Sequence, residues 1–223
     1  LGDVYKRQVA KYGDALSWYP AEVDTSIRPG WFYHQYEDDK VKNADQLFKL
    51  WLSAVGGNSS LLLNVPPSPE GRFAEPDVQA LEGLGRRIKA FRNALSESLF
   101  DVSATSSIEH VSHLIDERND TYWQPSENDA APAIMLNFPE LTEINTIVIE
   151  EAIEWGQRIE HLQVAGILPD GTEQPLAQAG TVGYRRILRF RDTEVSAITI
   201  YLDGARMRPM ISRVAAARIK ELS

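Results

Sequence analysis

Residues 61–67 read LLLNVPP and are the most informative segment for the architecture of the first half. Three consecutive leucines with no polar residue between them are typical of a strand that is buried on both faces, as in a parallel sheet. Asn64 and the proline pair that follows Val65 end the strand, because proline lacks the N–H that a sheet ladder needs. We therefore expect parallel neighbours beside this strand and helices over its faces.

A helical pattern precedes this strand. Asn43 is a suitable N-cap for a helix over 44–55, because its side chain can accept a hydrogen bond from the first helical turn. Apolar residues, Trp51 among them, recur there at helical spacing and predict one buried stripe. Gly56 and Gly57 follow and end the helix.

A second helix is predicted to begin at Pro76, with an apolar stripe over 78–91. Two β-to-α units in succession predict a βα architecture. An eight-stranded βα barrel needs roughly 250 residues, so about 95 residues would form only part of one. We expect open sheet edges in this half.

From residue 97 onward the pattern changes to short strands. Apolar and polar residues alternate over 134–138 and over 198–202, and Pro169-Asp170-Gly171 predicts a tight turn between two strands. These features predict an antiparallel β-sandwich. The expected fold is thus α/β plus all-β, with 9–96 as part of a barrel and 97–223 as the sandwich.

Composition excludes several classes of protein. The chain has 23 Lys and Arg against 32 Asp and Glu, a net charge of −9, and no cysteine. An acidic surface disfavours nucleic-acid and anionic-lipid partners. Disulfides and Cys-ligated zinc are excluded. No run approaches the roughly 20 apolar residues that a membrane helix needs, so we expect no membrane insertion.

Three motifs in the first half resemble one enzyme family. They are WYPAEVDTSIRPGWFYH at 18–34, VGGN at 55–58, and LLLNVPP at 61–67 with Gly71 after it. Together they resemble the C-terminal part of the catalytic barrel of glycoside hydrolase family 29, the α-L-fucosidases, over roughly 9–92. The resemblance is closest to the branch that acts on α-1,3/1,4-linked fucose. Residues 1–8 (LGDVYKRQ) resemble a non-native extension, and the chain is expected to lack the N-terminal half of its barrel.

The resemblance implies a retaining glycosidase, which needs two carboxyl groups about 5–5.5 Å apart. Both catalytic carboxylates are expected upstream of this chain, with Glu22 as the fallback acid/base at the C-terminal rim of a barrel strand. The chain by itself is therefore predicted to be inactive. Its implied partner is a fucosylated oligosaccharide or glycoconjugate, and a periplasmic or extracellular location is favoured for the parent enzyme.

Glu22, Arg28 and Trp31 are the candidate substrate-binding residues. Arg28 is expected to form an ion pair with Glu22 or Asp24, the alternative being a hydrogen bond to a sugar hydroxyl. Trp31 has two open interpretations: an aromatic face for the C6-methyl side of fucose, or a core residue. His34 is expected to be structural.

The second half resembles a discoidin-like domain, close to family 32 carbohydrate-binding modules. The resemblance lies in 114–123 (LIDERNDTYW), 150–159, 181–187 (TVGYRRI) and 205–209 (ARMRP). It implies a Ca²⁺ ion, with Asp116, Asp120 and Thr121 as oxygen ligands, and a core position for Trp123. No organic cofactor is expected.

The role of this second half has two interpretations. It braces the barrel, which we favour, or it binds sugar through Trp155, Tyr184 and Arg206. The corresponding alternative for the whole chain is a non-catalytic carbohydrate-binding or structural β-sandwich module.

Overall fold

The computed structural model describes residues 21–118 and 120–220. In the first half, two strands alternate with two α-helices: β1 Ala21–Ser26, α1 Ala44–Val55, β2 Ser59–Asn64 and α2 Glu75–Glu97. β1 and β2 pair in parallel, from Ala21 opposite Ser59 to Ser26 opposite Asn64. The predicted βα order and parallel pairing are confirmed. Trp18, Tyr19 and the 1–8 extension lie outside the described residues.

The boundaries of α1 follow from local chemistry. The Asn43 side chain accepts a hydrogen bond from the Gln46 N–H, and the Gln46 side chain accepts one from the Asn43 N–H, which forms a capping box. Gly56 ends the helix in right-handed geometry. It is required there for space, because a Cβ would lie 2.4 Å from the Leu52 carbonyl oxygen and 2.7 Å from the Ile187 Cβ. The left-handed residue of this turn is Asn58, with φ 66°.

The expectation that 61–63 are buried on both faces is wrong for this chain. Leu62 is 51% exposed, and Val23 on the paired strand is 36% exposed. The reason is that β1 and β2 form a two-stranded sheet within the described residues. Both outer edges and part of one face therefore have no paired strand within the described residues, in agreement with the open-edge prediction.

The second half is antiparallel β-structure around its own core. Six strands form one hydrogen-bonded sheet in the order β3-β4-β7-β5-β6, and β8 pairs with β4. The strands are β3 Asp101–Ala104, β4 Ala133–Glu151, β5 Ile159–Ile167, β6 Glu173–Ala179, β7 Arg186–Ala205 and β8 Ile211–Ala217. The predicted alternation is confirmed, since Ile134, Leu136, Ile198 and Ile200 are fully buried.

Two further local predictions in this half are confirmed. Trp123 is fully buried, and its Nε1–H donates to the Ser106 carbonyl at 2.9 Å. Pro169-Asp170-Gly171 turns the chain between β5 and β6, with Gly171 at φ 82°. The Asp170 carboxylate accepts hydrogen bonds from the Thr172 N–H and Oγ–H, which closes the turn.

The two halves share a hydrophobic core. In β4, Ile147 and Ile149 face the core of the β half, whereas Val148 between them packs against the helices. On the helical side, Trp51 lies in the core as predicted, edge-to-face with Phe91. Ala215, Ala217 and Ile219 complete this second layer. No helix within 21–118 and 120–220 is long and apolar enough to cross a bilayer.

Candidate functional site

The carboxyl ends of β1 and β2 meet at one edge, where open parallel sheets bind ligands. Asn64 at the end of β2 donates one hydrogen bond to the Ser26 Oγ at 3.1 Å and another to the Trp31 carbonyl at 3.0 Å. Ser26 in turn donates to the Gly30 carbonyl at 2.7 Å. These bonds fix the loop after β1 and leave the Trp31 side chain 52% exposed beside the strand ends. The core interpretation of Trp31 is therefore wrong.

Arg28 is buried under this loop rather than presented to solvent. Its side chain is 0% exposed, and its Nε and Nη2 donate to Asp77 in a bidentate pair at 3.0 and 2.8 Å. Nη2 also lies 2.9 Å from Asp38, and Nη1 donates to the His34 carbonyl. The expected ion pair with Glu22 or Asp24 is wrong, because the guanidinium turns inward to the first turn of α2.

The carboxylates beside Arg28 keep its buried guanidinium charged. Burial alone would lower the pKa of the Arg28 guanidinium, but its hydrogen bonds to Asp77 and Asp38 outweigh burial and raise the pKa above its ordinary value. The guanidinium also lies 4.7 Å from the centre of the Tyr33 ring. Arg28 thus holds the loop that presents Trp31, and its donors are used within the protein.

Sequence reasoning missed Asp77 and Asp38. Asp77 stands in the first turn of α2, where an acidic residue is also expected as a partner of the helix dipole. Asp38 belongs to a 3-10 helix, Gln35–Lys40, that the sequence pattern did not predict. No local signal distinguishes an acidic residue at a helix start from the partner of a buried arginine.

Glu22 does not lie at the carboxyl end of its strand, so its predicted placement is wrong. It is the second residue of β1, opposite Ser60, and β1 continues to Ser26 before the loop begins. Glu22 and Asp24 are both exposed, and they share one face of the strand because they are two residues apart. His34 is exposed and stacks on Tyr36.

The residues expected to bind Ca²⁺ have protein partners. Asp116 accepts hydrogen bonds from the Thr121 Oγ–H at 2.8 Å and from the Arg118 N–H at 2.9 Å. Asp120 forms a bidentate pair with Arg118, which lowers the pKa of its carboxyl. Within 21–118 and 120–220 no three acidic or histidine side chains are grouped to hold a metal ion. Calcium binding here stays a prediction.

The three sugar-binding candidates of the β half have separate partners. Trp155 is exposed and lies edge-on to Tyr122. Tyr184 stacks against Arg185 at the interface with the first half, and Arg206 pairs with Glu160. Sequence reasoning missed a cleft of about 450 Å³ at the end of the sheet, whose lining includes His110, His113, Tyr122, Gln124 and Arg208.

Comparisons with known proteins agree with this architecture. Residues 5–93 match the sequence profile of the family described as Alpha-L-fucosidase. Alpha-L-fucosidase 1 of Arabidopsis thaliana is 36% identical over 224 residues, covering 95% of this chain and 43% of that protein. The chain spans less than half the length of the curated relatives it matches.

Solved structures match both halves together. A GH29 fucosidase of Ruminococcus gnavus in complex with fucose has a TM-score of 0.84 and 29% identity, covering 92% of this chain and 42% of its own. The protein SpGH29 has a TM-score of 0.81 and 27% identity, covering 89% of this chain and 44% of its own. The family profile, the relatives and the structures all show that this chain is similar to α-L-fucosidases of glycoside hydrolase family 29.

Proposed function

We propose that this chain is the C-terminal part of a retaining α-L-fucosidase of glycoside hydrolase family 29. The whole protein hydrolyses terminal α-linked fucose from oligosaccharides or glycoconjugates. The observation that carries this proposal is the match of both halves, over 92% of the chain, to a fucosidase of Ruminococcus gnavus in complex with fucose. The motif at 18–34 supports the branch that acts on α-1,3/1,4-linked fucose.

The described carboxylates favour catalytic groups upstream of this chain. A retaining glycosidase needs its nucleophile and its acid/base on either side of the scissile bond, at the carboxyl ends of barrel strands. Glu22 and Asp24 lie on the body of β1, and Asp77 is neutralised by Arg28. Glu22 remains the fallback acid/base, because its carboxylate is exposed on β1.

Trp31 is the substrate contact that we propose within this chain. Its position is held through its own carbonyl by Asn64, so the exposed indole is presented from a fixed backbone. An aromatic face at this edge can pack on the apolar C6-methyl side of fucose. Ser26 and Asn64 act on the backbone of the same loop and position the indole.

We propose that the β half is a discoidin-like sandwich that braces the barrel. The shared core supports this role, since Val148, Ala215 and Ala217 pack against the helices. The second candidate function is a carbohydrate-binding module, and the polar cleft that includes His110 and Arg208 favours it. Saturable binding of fucosylated oligosaccharides to this chain, lost in Arg208→Ala, would establish the second function.

The experiment compares this chain with the protein extended upstream through the rest of its reading frame. We expect the extended protein to hydrolyse an aryl α-L-fucoside and this chain to show no turnover. In the extended protein, Trp31→Ala should raise KM, and Phe32→Ala is the matched control at a neighbouring exposed aromatic. Turnover by this chain alone, abolished by Glu22→Gln, would overturn the upstream placement and assign catalysis to Glu22.

A further inference from the structure

Glu151, the last residue of β4, is a buried carboxylate that binds two loops. It is 3% exposed. Its Oε1 accepts hydrogen bonds from the N–H groups of Arg158 at 2.7 Å and Ile159 at 3.0 Å, and its Oε2 accepts one from the Gly183 N–H at 2.7 Å. All three donors are backbone amides. The arrangement is a small anion cradle that a residue of the protein itself occupies.

The residues next to these amides form hydrogen bonds to Asn58 of the first half. We call this contact of Asn58 with Gln157 and Tyr184 the joint between the halves. Gln157, which precedes Arg158, accepts a hydrogen bond from the Asn58 side-chain amide at 3.2 Å. Tyr184, which follows Gly183, donates its backbone N–H to the Asn58 Oδ1 at 2.7 Å. Asn58 lies in the turn between α1 and β2. Glu151 therefore ties together the two loops that clasp Asn58.

We propose that Glu151 is a proton-sensitive latch on the joint between the two halves. The ionised carboxylate accepts from all three amides and holds both loops around Asn58. A proton taken from solvent onto Oε2 makes that oxygen a neutral hydroxyl, which is a weaker acceptor for the Gly183 N–H. The side-chain hydrogen bond therefore weakens, while the Glu151 N–H still donates to the Gly183 carbonyl at 3.0 Å. The loop 180–184 then loosens its hold on Asn58. This inference concerns the joint alone and is independent of the proposed function.

The latch operates near neutral pH. Burial raises the pKa of Glu151 to about 7, although the backbone hydrogen bonds from Arg158, Gly183 and Ile159 lower it in part. The charged side chains on the surrounding elements have other partners: Glu150 pairs with Arg185, Arg158 donates to the carbonyls of Trp155 and Arg208, Arg186 to Thr181, and Arg213 to Glu117. The ionised carboxylate is therefore stabilised mainly by the backbone amides, and the positive charge of Arg158 adds a smaller contribution that also lowers the pKa.

The test is a titration of backbone amide resonances of the intact chain by NMR. We expect the amides of Arg158, Ile159 and Gly183 to shift with one common midpoint near 7. The Tyr184 amide, which bonds Asn58 and not Glu151, should follow the same midpoint. Glu151→Gln should abolish the transition at all four amides. Glu154→Gln, at an exposed residue on the same loop, is the matched control and should retain it.

Two results would overturn the latch. A midpoint at the ordinary glutamate pKa of 4.5 would mean that Glu151 is ionised throughout the neutral range. A Tyr184 amide that stays constant while Gly183 titrates would mean that the proton changes one hydrogen bond and does not reach the joint. The titration of the unsubstituted chain decides both points even if Glu151→Gln does not fold.

Discussion

The side chain of Asn58 accepts a hydrogen bond from the backbone N–H of Tyr184 at 2.7 Å, across 126 residues of sequence. Beside it, the Gly56 carbonyl accepts one from the Ile187 N–H at 3.0 Å. Gly183 allows this approach, because a Cβ there would lie 2.2 Å from the Asn58 amide. The turn after α1 is thus attached directly to the loop before β7.

Asn58→Ala should destabilise the chain by about 2–4 kcal/mol. Two hydrogen bonds across the joint are lost, and alanine is strained at φ 66°. Asn58→Gly removes the same bonds without the strain, so it should recover about 1 kcal/mol of the loss. Urea unfolding followed by circular dichroism measures both. If the Asn58→Ala protein is as stable as the unsubstituted chain, the hydrogen bonds of Asn58 do not stabilise the contact between the two halves.

Arg28→Met should cost about 3–5 kcal/mol, because it leaves the fully buried Asp77 carboxylate without its partner. The matched control is Arg86→Met, which removes an exposed pair with Glu82 and should cost at most about 1 kcal/mol. The comparison of the two unfolding midpoints checks this. Equal midpoints would show that Arg28 does not hold the loop after β1.

Glu151 should make stability fall as pH rises from about 4.5 to about 7. Burial raises the pKa of the folded state above its ordinary 4.5, so the folded protein binds the proton more tightly across this window. The full effect is about 3 kcal/mol at 1.36 kcal/mol per pKa unit, and it is constant above the window. Unfolding at a series of pH values measures it.

Glu151→Gln should remove this component of the pH dependence, whereas Glu154→Gln should preserve it. Other groups also titrate over the same range, so the quantity to compare is the difference between each variant and the unsubstituted chain. Parallel stability curves for the chain and Glu151→Gln would refute the assignment.

Residues 98–223 should fold alone, and residues 1–96 should not. The β half has its own buried core around Trp123 and Ile134, whereas the helices bury Trp51 and Leu47 partly against Val148 of β4. Without β4 and β8, that apolar face and the edges of β1 and β2 are exposed and should cause aggregation. Calorimetry of the two fragments tests this, and a cooperative melt of 1–96 would disprove it.

Short sequence patterns correctly predicted the elements that depend on interactions between residues close together in the sequence. The Asn43 capping box, the turn at Gly171 and the alternation over 134–138 each depend on residues within a few positions of one another. Those elements are confirmed. The predicted placement of Glu22 at the end of its strand is wrong, because β1 continues for four more residues to Ser26. No residue next to Glu22 in the sequence indicates where the strand ends.

Periodicity and capping depend on neighbours along the chain, so the amino-acid pattern predicts the βα and antiparallel halves, the helix α1 with its caps, and the buried positions of Trp51 and Trp123. The pairing of Arg28 with Asp77, 49 residues away, and the contact of Asn58 with the second half depend on three-dimensional packing, which no local pattern predicts. The same holds for Glu151, which looks like any strand-end glutamate in the sequence. Each of these roles depends on which backbone and side-chain groups packing brings into a water-poor space, where an unpaired charge or amide is costly.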